Sequence, residues 1–470
     1  MEQSPNSSST ENLPIDILIL AAGLGSRMRS DKAKVLHELD GRPLIAHVCR
    51  TAAALAPEKV FVVVGHKANE VKKAVQKELG EEQASFVLQK EQLGTGDAVN
   101  AAREFLQDKD STLVILSGDV PIIRPETLAT LIQQHHGQNA ACTILTVELK
   151  DPTGYGRVIR DSNKGFSHIA EQKDATDEER RVGEINSGIY CFNTRLLYKM
   201  LAEVKPSEVT SEYYLTDVPA LLRENGEKVS LYLHNDTREV AGINNRAELA
   251  DLERLVHRRT IKDLMLEAGV TFIDPKSAYV GADVRIGRDT VIYPNVYLEG
   301  DTVIGDECEI HSGTRIKNSR IGSGVTVQDN CLITDSEIEN DCTVGPMAHL
   351  RGAAKMETGA KVGNFVEMKK TVLGKGAKAS HLTYLGDADI GENTNIGAGT
   401  ITCNYDGKNK NKTIIGKNVK IGSDTLLVAP VTVGDGAMTG AGTVVRKDIP
   451  ENTLAVGQPA RNIRKVNSDE

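Results

Sequence analysis

The stretch "VGADVRIGRDTVIYPNVYLEGDTVIGDECEIHSGTRI", residues 280–316, decides the fold of the second half of the chain. An aliphatic residue returns at every sixth position, and it does so at Val280, Ile286, Ile292, Leu298, Ile304, Ile310 and Ile316. Such hexapeptide repeats are typical of a parallel β-helix, in which each unit forms one flat side of a three-sided coil and the aliphatic residues stack inward. The pattern predicts a left-handed parallel β-helix over residues 270–470, with about ten coils.

The six-residue period changes or stops at several points. Five-residue steps lead to Ile321 and Ile338, and the regular count resumes at Ile415. We interpret two polar stretches as breaks, "KASHLTYLGDADIG" at residues 378–391 and "NYDGKNKNK" at residues 404–412. Because a β-helix cannot easily bring distant loops together, we expect its chemistry at such breaks.

The first half of the chain has a different pattern. Apolar runs such as "IDILIL" (15–20), "KVFVVVG" (59–65) and "STLVILSGD" (111–119) alternate with helical segments such as "GRPLIAHVCRTAAALA" (41–56). This alternation of strands and helices predicts a Rossmann-like α/β domain over residues 15–245, with a mixed, mainly parallel sheet. Ligands bind such sheets at the carboxyl ends of the strands.

The remaining segments are a helix and a leader. Residues 246–269 place Leu249, Leu252, Leu255 and Val256 at three- and four-residue spacing, which predicts an amphipathic linker helix. A coiled-coil dimer arm is the alternative, although the segment is short for one. Residues 1–14 are predicted to be a disordered leader, which lacks the basic and apolar regions of a secretion signal.

Composition excludes several classes of function. The net charge of −9 and the pI near 5.8 offer no basic field for nucleic acid, and no apolar stretch has the length of a membrane span. Seven cysteines without a CxxC pair indicate reduced thiols rather than a disulfide framework or a zinc site. We therefore expect a cytoplasmic protein that acts on small molecules.

The loop after the first strand carries the first sign of chemistry. In "LILAAGLGSRM" (18–28), Gly23 and Gly25 let backbone N–H groups approach a phosphate, although a plain tight turn is an equal alternative. Arg27 and Lys34 add two cations that could neutralise a leaving pyrophosphate. Asp119 follows an apolar strand, where a carboxylate could hold Mg²⁺ or merely cap a turn.

Further motifs make the pattern specific. These are "VLQKEQLGTGDAV" (87–99), "DPTGYGR" (151–157), "AEQKDAT" (170–176), "EINSGIY" (184–190), "EYYLTD" (212–217) and "GINNR" (242–246). With "KVLHEL" and "GDVP", the chain resembles the bacterial family of bifunctional N-acetylglucosamine-1-phosphate uridyltransferases and glucosamine-1-phosphate acetyltransferases. The resemblance extends from Ile15 to about Ala460.

The resemblance implies a role for each motif of the first half. Arg27 and Lys34 would act in catalysis, and Asp119 with Asn244 would hold Mg²⁺. The uracil would be read by Gln89, Gly94 and Thr95, and the N-acetylated sugar would be held by Gly156, Glu171 and Asn186. The remaining nucleotide contacts would come from Leu20, Ala21, Ala22, Gly23, Ser117 and Gly118.

For the second half, the resemblance implies acetyl transfer from acetyl-CoA to the 2-amino group of glucosamine 1-phosphate. His381 would be the general base, because an imidazole's ordinary pKa of about 6.5 is close to working pH. Glu367 would orient or polarise that ring. The sugar phosphate would be bound by Arg351, Lys369, Tyr384 and Asn395, and acetyl-CoA by Ala398, Asn404, Tyr405, Ser423, Ala441 and Gln458.

The family also implies a homotrimer and an order of reactions. Acetylation would come first, and uridylyl transfer from UTP would then give UDP-N-acetylglucosamine and pyrophosphate. Two alternatives stay open at this point. One is a nucleotidyltransferase whose β-helix is only structural or regulatory, and the other is a structural protein in which both halves have lost their chemistry.

Overall fold

A computed structural model describes residues 13–457. The predicted leader therefore lies outside the described residues except for Leu13 and Pro14, and so does Gln458. Within the described part, the chain forms two compact units that divide between Leu252 and Glu253. No helix in that part has both the length and the apolar character needed to cross a membrane.

The first unit alternates strands and helices along most of its length. Its elements are β1 (Ile15–Ala21), β2 (Glu38–Leu39), β3 (Arg42–Pro43), α1 (Leu44–Ala54), β4 (Lys59–Val64), α2 (Ala68–Leu79), β5 (Ala84–Leu88), α3 (Thr95–Asn100), α4 (Arg103–Leu106), β6 (Thr112–Ser117), α5 (Pro125–Gly137), β7 (Cys142–Glu148), β8 (Arg157–Arg160), β9 (Phe166–Ala170), β10 (Glu184–Asn193), α6 (Thr194–Leu201), α7 (Val218–Glu224) and β11 (Val229–Leu233). Short 3₁₀ turns cover Ser26–Met28, Lys34–Leu36, Glu179–Arg181 and Leu215–Asp217.

The central sheet has the strand order β11-β7-β10-β6-β1-β4-β5, and β8 and β9 extend it from β10. The strands β6, β1, β4 and β5 pair in parallel, as do β7 and β11. Strand β10 is antiparallel to both of its neighbours in this order. Because β1 and β6 run in parallel with Leu20 opposite Ser117, their carboxyl ends open at the same edge.

The apolar residues of the strands fill two cores, one on each face of the sheet. Residues of α1, α2 and α5 contribute to one core, and residues of α3, α6 and α7 contribute to the other. The strands "DILIL" and "TLVIL" are buried on both faces, which explains why they are almost uninterrupted apolar runs. The first unit is thus a three-layer α/β domain.

Helix α8 spans Arg246–Leu266 and covers most of the predicted linker segment. Asn245 caps its start, because the Asn245 side chain accepts hydrogen bonds from the backbone N–H groups of Ala247 and Glu248. The Glu248 carboxylate in turn accepts a bond of 2.6 Å from the backbone N–H of Asn244. The helix start therefore fixes the backbone at Asn244.

Beyond α8, the chain forms short parallel strands. They are β12 (Thr271–Phe272), β13 (Tyr279–Val280), β14 (Arg285–Ile286), β15 (Val291–Ile292), β16 (Tyr297–Glu299), β17 (Val303–Ile304), β18 (Glu309–Ile310), β19 (Arg315–Lys317), β20 (Arg320–Ile321), β21 (Thr326–Val327), β22 (Leu332–Thr334), β23 (Glu337–Ile338), β24 (Thr343–Val344), β25 (His349–Arg351), β26 (Lys355–Met356), β27 (Lys361–Asn364), β28 (Glu367–Lys369), β29 (Val372–Leu373), β30 (Lys378–His381), β31 (Tyr384–Gly386), β32 (Ala388–Ile390), β33 (Asn395–Ile396), β34 (Ile401–Cys403), β35 (Thr413–Ile415), β36 (Lys420–Ile421), β37 (Leu426–Val428), β38 (Val431–Val433), β39 (Met438–Thr439), β40 (Val444–Val445) and β41 (Leu454–Ala455).

These strands form three parallel sheets, the sides of a β-helix. The first side contains β12 and every third strand to β39, then β41; the second runs from β13 to β40, and the third from β14 to β38. The seven aliphatic residues at every sixth position from Val280 to Ile316 are all buried, with an exposed fraction of at most 5%. The small side chains two positions earlier, such as Val284, Thr302 and Cys308, are also buried. The six-residue period thus corresponds to one side of the coil.

The structure corrects one interpretation of the sequence. Residues 378–391 do not break the coil, since strands β30, β31 and β32 pair in register with the coil before them. Ala379, Leu385 and Ile390 continue the buried ladders there. The stretch differs from its neighbours in its outward-facing side chains, whereas residues 404–412 leave the coil between β34 and β35.

Candidate functional site

A cleft of about 310 Å³ opens at the carboxyl ends of β1 and β6 in the first unit. Most residues predicted to contact the nucleotide line this cleft, namely Leu20, Ala21, Ala22, Gly23, Lys34, Gln89, Gly94, Thr95, Ser117 and Asp119. Gly118 is adjacent, and its backbone N–H donates to Leu20 at 2.9 Å. A larger cavity of about 940 Å³ lies around Leu13, Ile15 and His136, but it contains none of the predicted residues. The residues predicted to contact the nucleotide therefore lie together at the smaller cleft.

The charged groups of the cleft converge on one point. Lys34 Nζ forms an ion pair with Asp119 Oδ2 and lies 3.3 Å from Asn244 Oδ1. The Arg27 guanidinium donates to the same Asn244 oxygen at 2.9 Å. The side chains of Lys34 and Asp119 are 17% and 15% exposed, so water screens their attraction only in part. Carboxylate and amide oxygens thus surround a position already occupied by a cationic group.

Glycine is required at two points of the cleft wall. Gly25 has φ +64°, and a Cβ there would lie 2.6 Å from the Cβ of Lys34. Gly94 has φ +112°, and a Cβ there would lie 2.4 Å from the carbonyl oxygen of Tyr213. Both glycines adopt backbone conformations that disfavour other residues, and both allow the cleft segments to approach closely.

Gln89 lies on the side of the cleft predicted to read the base. Its Nε2 donates to Asp97 Oδ2 at 2.8 Å and to the carbonyl of Gly94 at 3.2 Å. These bonds fix the plane of the amide, so that the Gln89 Oε1 atom has a defined direction. An amide held in this way can match the donor and acceptor pattern of a uracil edge.

The three residues predicted to hold the sugar lie close together, Gly156 directly before β8, Glu171 directly after β9 and Asn186 on β10. The backbone N–H of Asn186 donates to the carbonyl of Gly156 at 2.9 Å, and a Cβ on Gly156 would lie 3.6 Å from the Glu171 carboxyl group. Thr216 donates to Glu171 Oε1 at 2.9 Å. Burial raises the pKa of the Glu171 carboxyl, and nearby carboxylates add to the effect. The arrangement places an amide and a carboxyl group close together, and such groups can hydrogen-bond the hydroxyl groups of a sugar.

In the β-helix, several predicted residues occupy one corner between the first and second sides. Strand register aligns Ala379 with Ile396 and Ile396 with Ile421, so the residues two positions further, His381, Ala398 and Ser423, follow one another along the axis. The register of Lys420 with Met438 adds Ala441 to this series. We call these residues, with Asn364 on the preceding coil, the His381 column. The predicted base and three predicted acetyl-CoA residues therefore lie along one edge.

Asn364 is the hydrogen-bond partner of His381. The Nδ1 atom of the ring lies 2.6 Å from Asn364 Oδ1, and the two residues are paired across β27 and β30. Sequence analysis assigned the orienting role to Glu367, but its carboxylate binds Arg351, with Nη2 to Oε1 at 2.6 Å. The family resemblance implied that role for Glu367, and it stays a prediction.

The predicted sugar-phosphate residues lie on the second side of the coil and next to the column. Arg351 is paired with Lys369 across β25 and β28, and Glu367 is paired with Tyr384 across β28 and β31. Two cationic side chains thus project from neighbouring coils. Asn395 lies instead on the first side, paired with Lys378 and Lys420.

The excursion at residues 404–412 is a structured loop. Asn404 Nδ2 donates to Asp387 Oδ2 at 2.5 Å, and Lys410 Nζ lies 4.4 Å from the centre of the Tyr405 ring. Backbone N–H groups of Asn409 and Lys408 bind the Asp406 carboxylate and lower its pKa to about 2. The loop therefore holds Asn404 and Tyr405 in fixed positions.

Sequence reasoning missed three residues at these sites. Gln92 and Glu212 line the cleft, and Gln92 donates to the carbonyl of Ala22 at 2.7 Å. Both residues belong to motifs quoted above, and their places in those motifs could have marked them as cleft residues. Asn364 lies 17 residues before His381, and this separation, close to three six-residue units, could have identified it.

Known protein families match separate parts of the chain. Residues 17–182 match the MobA-like NTP transferase domain family, residues 276–356 match the GMPPB C-terminal domain family, and residues 412–447 match the bacterial transferase hexapeptide family. Fold and site together define a nucleotidyltransferase joined to a hexapeptide-repeat transferase. The predicted fold class, including the left-handed β-helix, is thereby confirmed.

Similar proteins along nearly the whole chain identify the family. The bifunctional protein GlmU of Geobacillus sp. (strain WCH70) is 45% identical over 96% of this chain and 96% of its own length. Those of Geotalea uraniireducens (strain Rf4) and Corynebacterium efficiens are also 45% identical, over 94% and 95% of this chain and 96% and 92% of their own lengths. The chain belongs to the family of the bifunctional protein GlmU. This confirms the predicted function, a bifunctional uridylyltransferase and acetyltransferase of UDP-N-acetylglucosamine synthesis, over the alternative of a purely structural β-helix.

Proposed function

We propose that the cleft of the first unit transfers the uridylyl group of UTP to N-acetylglucosamine 1-phosphate. The observation that carries this proposal is the convergence of ten predicted nucleotide contacts on one cleft. A phosphate oxygen of the sugar would attack the α-phosphorus of UTP, the bond to the bridging oxygen would break, and pyrophosphate would leave. Arg27 and Lys34 would neutralise the charge that builds up on that leaving group.

We propose Asp119 and Asn244 as the Mg²⁺ ligands. Their oxygens already converge on the Lys34 ammonium, so the donor set suits a hard cation. Among the described residues, no group of three or more His, Cys, Asp or Glu side chains is placed to hold a metal, in keeping with a site that relies on phosphate oxygens for its other ligands. When bound, Mg²⁺ supplies positive charge against the phosphates. With Mg²⁺ at Asp119, the Lys34 ammonium would pair with the triphosphate and no longer with the Asp119 carboxylate.

We propose that the His381 column carries the acetyl transfer from acetyl-CoA. His381 would take a proton from the 2-amino group of glucosamine 1-phosphate, the amine nitrogen would attack the thioester carbon, and the thiol of CoA would leave. Arg351 and Lys369 provide positive charge for the sugar phosphate on the neighbouring side. Ala398, Ser423 and Ala441 are small side chains, which leaves room along the edge for a long, thin cosubstrate.

Assembly and location complete the proposal. We propose a cytoplasmic homotrimer, in which the flat sides of the β-helix pack around a threefold axis. Light scattering of the purified protein would give three times the 50.8 kDa mass of one chain, whereas a monomer or dimer would contradict this arrangement.

Assaying both half-reactions on one variant tests the two-site proposal. Changing His381 to Ala should abolish thiol release from acetyl-CoA and leave pyrophosphate release from UTP unchanged. His311→Ala is the matched control, because His311 lies in the same β-helix but stacks on Tyr293, outside the column. Retention of acetyl transfer by His381→Ala, or loss of both activities in a folded protein, would refute the assignment.

A further inference from the structure

The two strands that carry Asn364 and His381 are longer than the other strands of their sheet. Strands β27 and β30 have four residues each, whereas the other described strands of the first side have two. The additional residues continue the pairing to the corner, where Asn364 and His381 are register partners. Among the described strands of this side, the pairing is thus extended only beside this pair.

The close approach of these strands depends on a missing side chain. A Cβ on Gly363 would lie 1.9 Å from the carbonyl oxygen of Ser380, so only glycine allows this contact. The backbone N–H of Leu382 donates to the carbonyl of Asn364 at 3.0 Å and fixes the register beyond the pair.

The corner is also strained. Phe365 and Leu382 directly follow the pair and have φ values of +57° and +47°. These left-handed conformations are unfavourable for large apolar residues. Both side chains are more than half exposed, so burial does not explain their presence. Left-handed residues occur at the same corner of other coils, for example Asn330, Met347 and Asp424, so this conformation belongs to the coil and is not specific to the pair.

The atoms in contact determine the state of the ring. The Oδ1 atom of an amide can only accept a hydrogen bond, so His381 Nδ1 must donate its proton across the distance of 2.6 Å. The neutral imidazole then has its lone pair on Nε2. Because the His381 side chain is exposed, that lone pair is accessible to a substrate.

The partner is an amide although the Glu367 carboxylate is nearby. Lys361 and Lys378 are the charged residues of β27 and β30, and Arg351, Glu367 and Lys369 are those of the adjoining strands on the second side. The Glu367 carboxylate is bound to Arg351. A carboxylate at position 364 would favour the imidazolium, which cannot accept a proton. A neutral amide orients the ring and adds no charge.

We propose that Asn364 is a positioning residue that keeps His381 in the Nδ1–H tautomer, with Nε2 as the basic atom, while leaving the imidazole uncharged. This inference rests on the proposed role of His381 in acetyl transfer. It assigns to an amide the task that a carboxylate performs in many histidine sites.

The test compares Asn364→Leu, Asn364→Asp and a control in the full-length enzyme. Asn364→Leu keeps the approximate size but cannot accept a hydrogen bond, so kcat for acetyl transfer should fall by about tenfold to a hundredfold with little change in KM. Asn364→Asp still accepts from Nδ1, so activity should persist at high pH. The acidic limb of its pH–rate profile should move upward by about one pH unit, because the added carboxylate stabilises the imidazolium.

Asn418→Asp is the matched control, since it adds the same charge at an exposed position of the β-helix outside the column. It should leave the pH profile unchanged. An unchanged kcat in Asn364→Leu, or an unmoved acidic limb in Asn364→Asp, would overturn the inference. If His381→Ala retained acetyl transfer, the proposed function itself would fail, so the two failures can be distinguished.

Discussion

Replacing Gly363 by alanine places one methyl group at the closest contact between β27 and β30. The new Cβ would lie 1.9 Å from the carbonyl oxygen of Ser380, whereas carbon and oxygen approach each other to only about 3.3 Å. The two strands must therefore separate by about 1.4 Å at this point. The backbone of Gly363 does not have a positive φ, so the effect is a purely steric one.

The energetic cost follows from the bonds that this separation breaks. The bond of 3.0 Å from Leu382 to Asn364 and the bond of 2.6 Å between Asn364 and His381 would both exceed hydrogen-bond distance. Together with overpacking, we expect a loss of about 2–4 kcal/mol in the free energy of unfolding. Because a displacement of 1 Å can cost about a hundredfold in rate, acetyl transfer should fall by about that factor.

Two measurements check this prediction on the same protein. Urea unfolding followed by circular dichroism gives the change in stability, and thiol release gives kcat for acetyl transfer. Gly137→Ala is the control, because a Cβ at that position has no neighbour within 4 Å. Pyrophosphate release should be unaffected in both variants. If Gly363→Ala retained acetyl transfer within about threefold of the parent, the close contact would not control the ring, and the reasoning would be refuted.

Three further predictions address the rest of the chain. Lys34→Met should lower kcat/KM for pyrophosphate release by about two to three orders of magnitude and leave thiol release intact, because it removes the ammonium beside Asp119. Ile316→Ala should cost about 2–5 kcal/mol in urea unfolding, since Ile316 is fully buried in a ladder, whereas the exposed Arg320→Ala should cost less than about 0.5 kcal/mol. Burial and, to a smaller extent, the neighbouring His136 lower the pKa of the His135 imidazole from 6.5 to about 4. The neutral, buried ring therefore contributes fully to the free energy of unfolding above pH 6.5, and this contribution is lost as the pH falls towards 4. The unfolding free energy should therefore decrease less between pH 7 and 5 in His135→Gln than in the parent.

The architecture could be predicted from the sequence wherever side chains of one type recur for a single structural reason. An aliphatic residue at every sixth position has to point into the coil, so the ladder from Val280 to Ile316 was visible in the printed sequence. Between Ile338 and Ile415, methionine or alanine replaces the usual Ile, Val or Leu at some inward positions, for example Met356 and Ala379. Five-residue steps, such as that from Met368 to Leu373, also interrupt the count, so the period was harder to follow there although the coil continues. Similarly, the apolar run of β10 does not reveal that this strand is antiparallel to its neighbours.

The candidate sites could be predicted only as far as the motifs reach. The cleft residues came from motifs that each lie on one loop, and the structure brings those loops together. Asn364 was missed because its contact joins two different coils, and nothing local in "GNFVEMKK" marks it. The role of Glu367 came from the family resemblance, and no motif in the sequence shows that Arg351 binds its carboxylate.

The parallel pairing of the β-helix has a consequence for how such a protein can change over generations. Each rung meets only the rungs directly before and after it, and the elongated strands β27 and β30 are neighbours. A duplication or deletion of a whole turn far from these two strands would leave their mutual geometry intact. The number of turns in the β-helix can thus change while its chemistry stays constant. A globular core does not allow such a change, because each of its residues packs against many others.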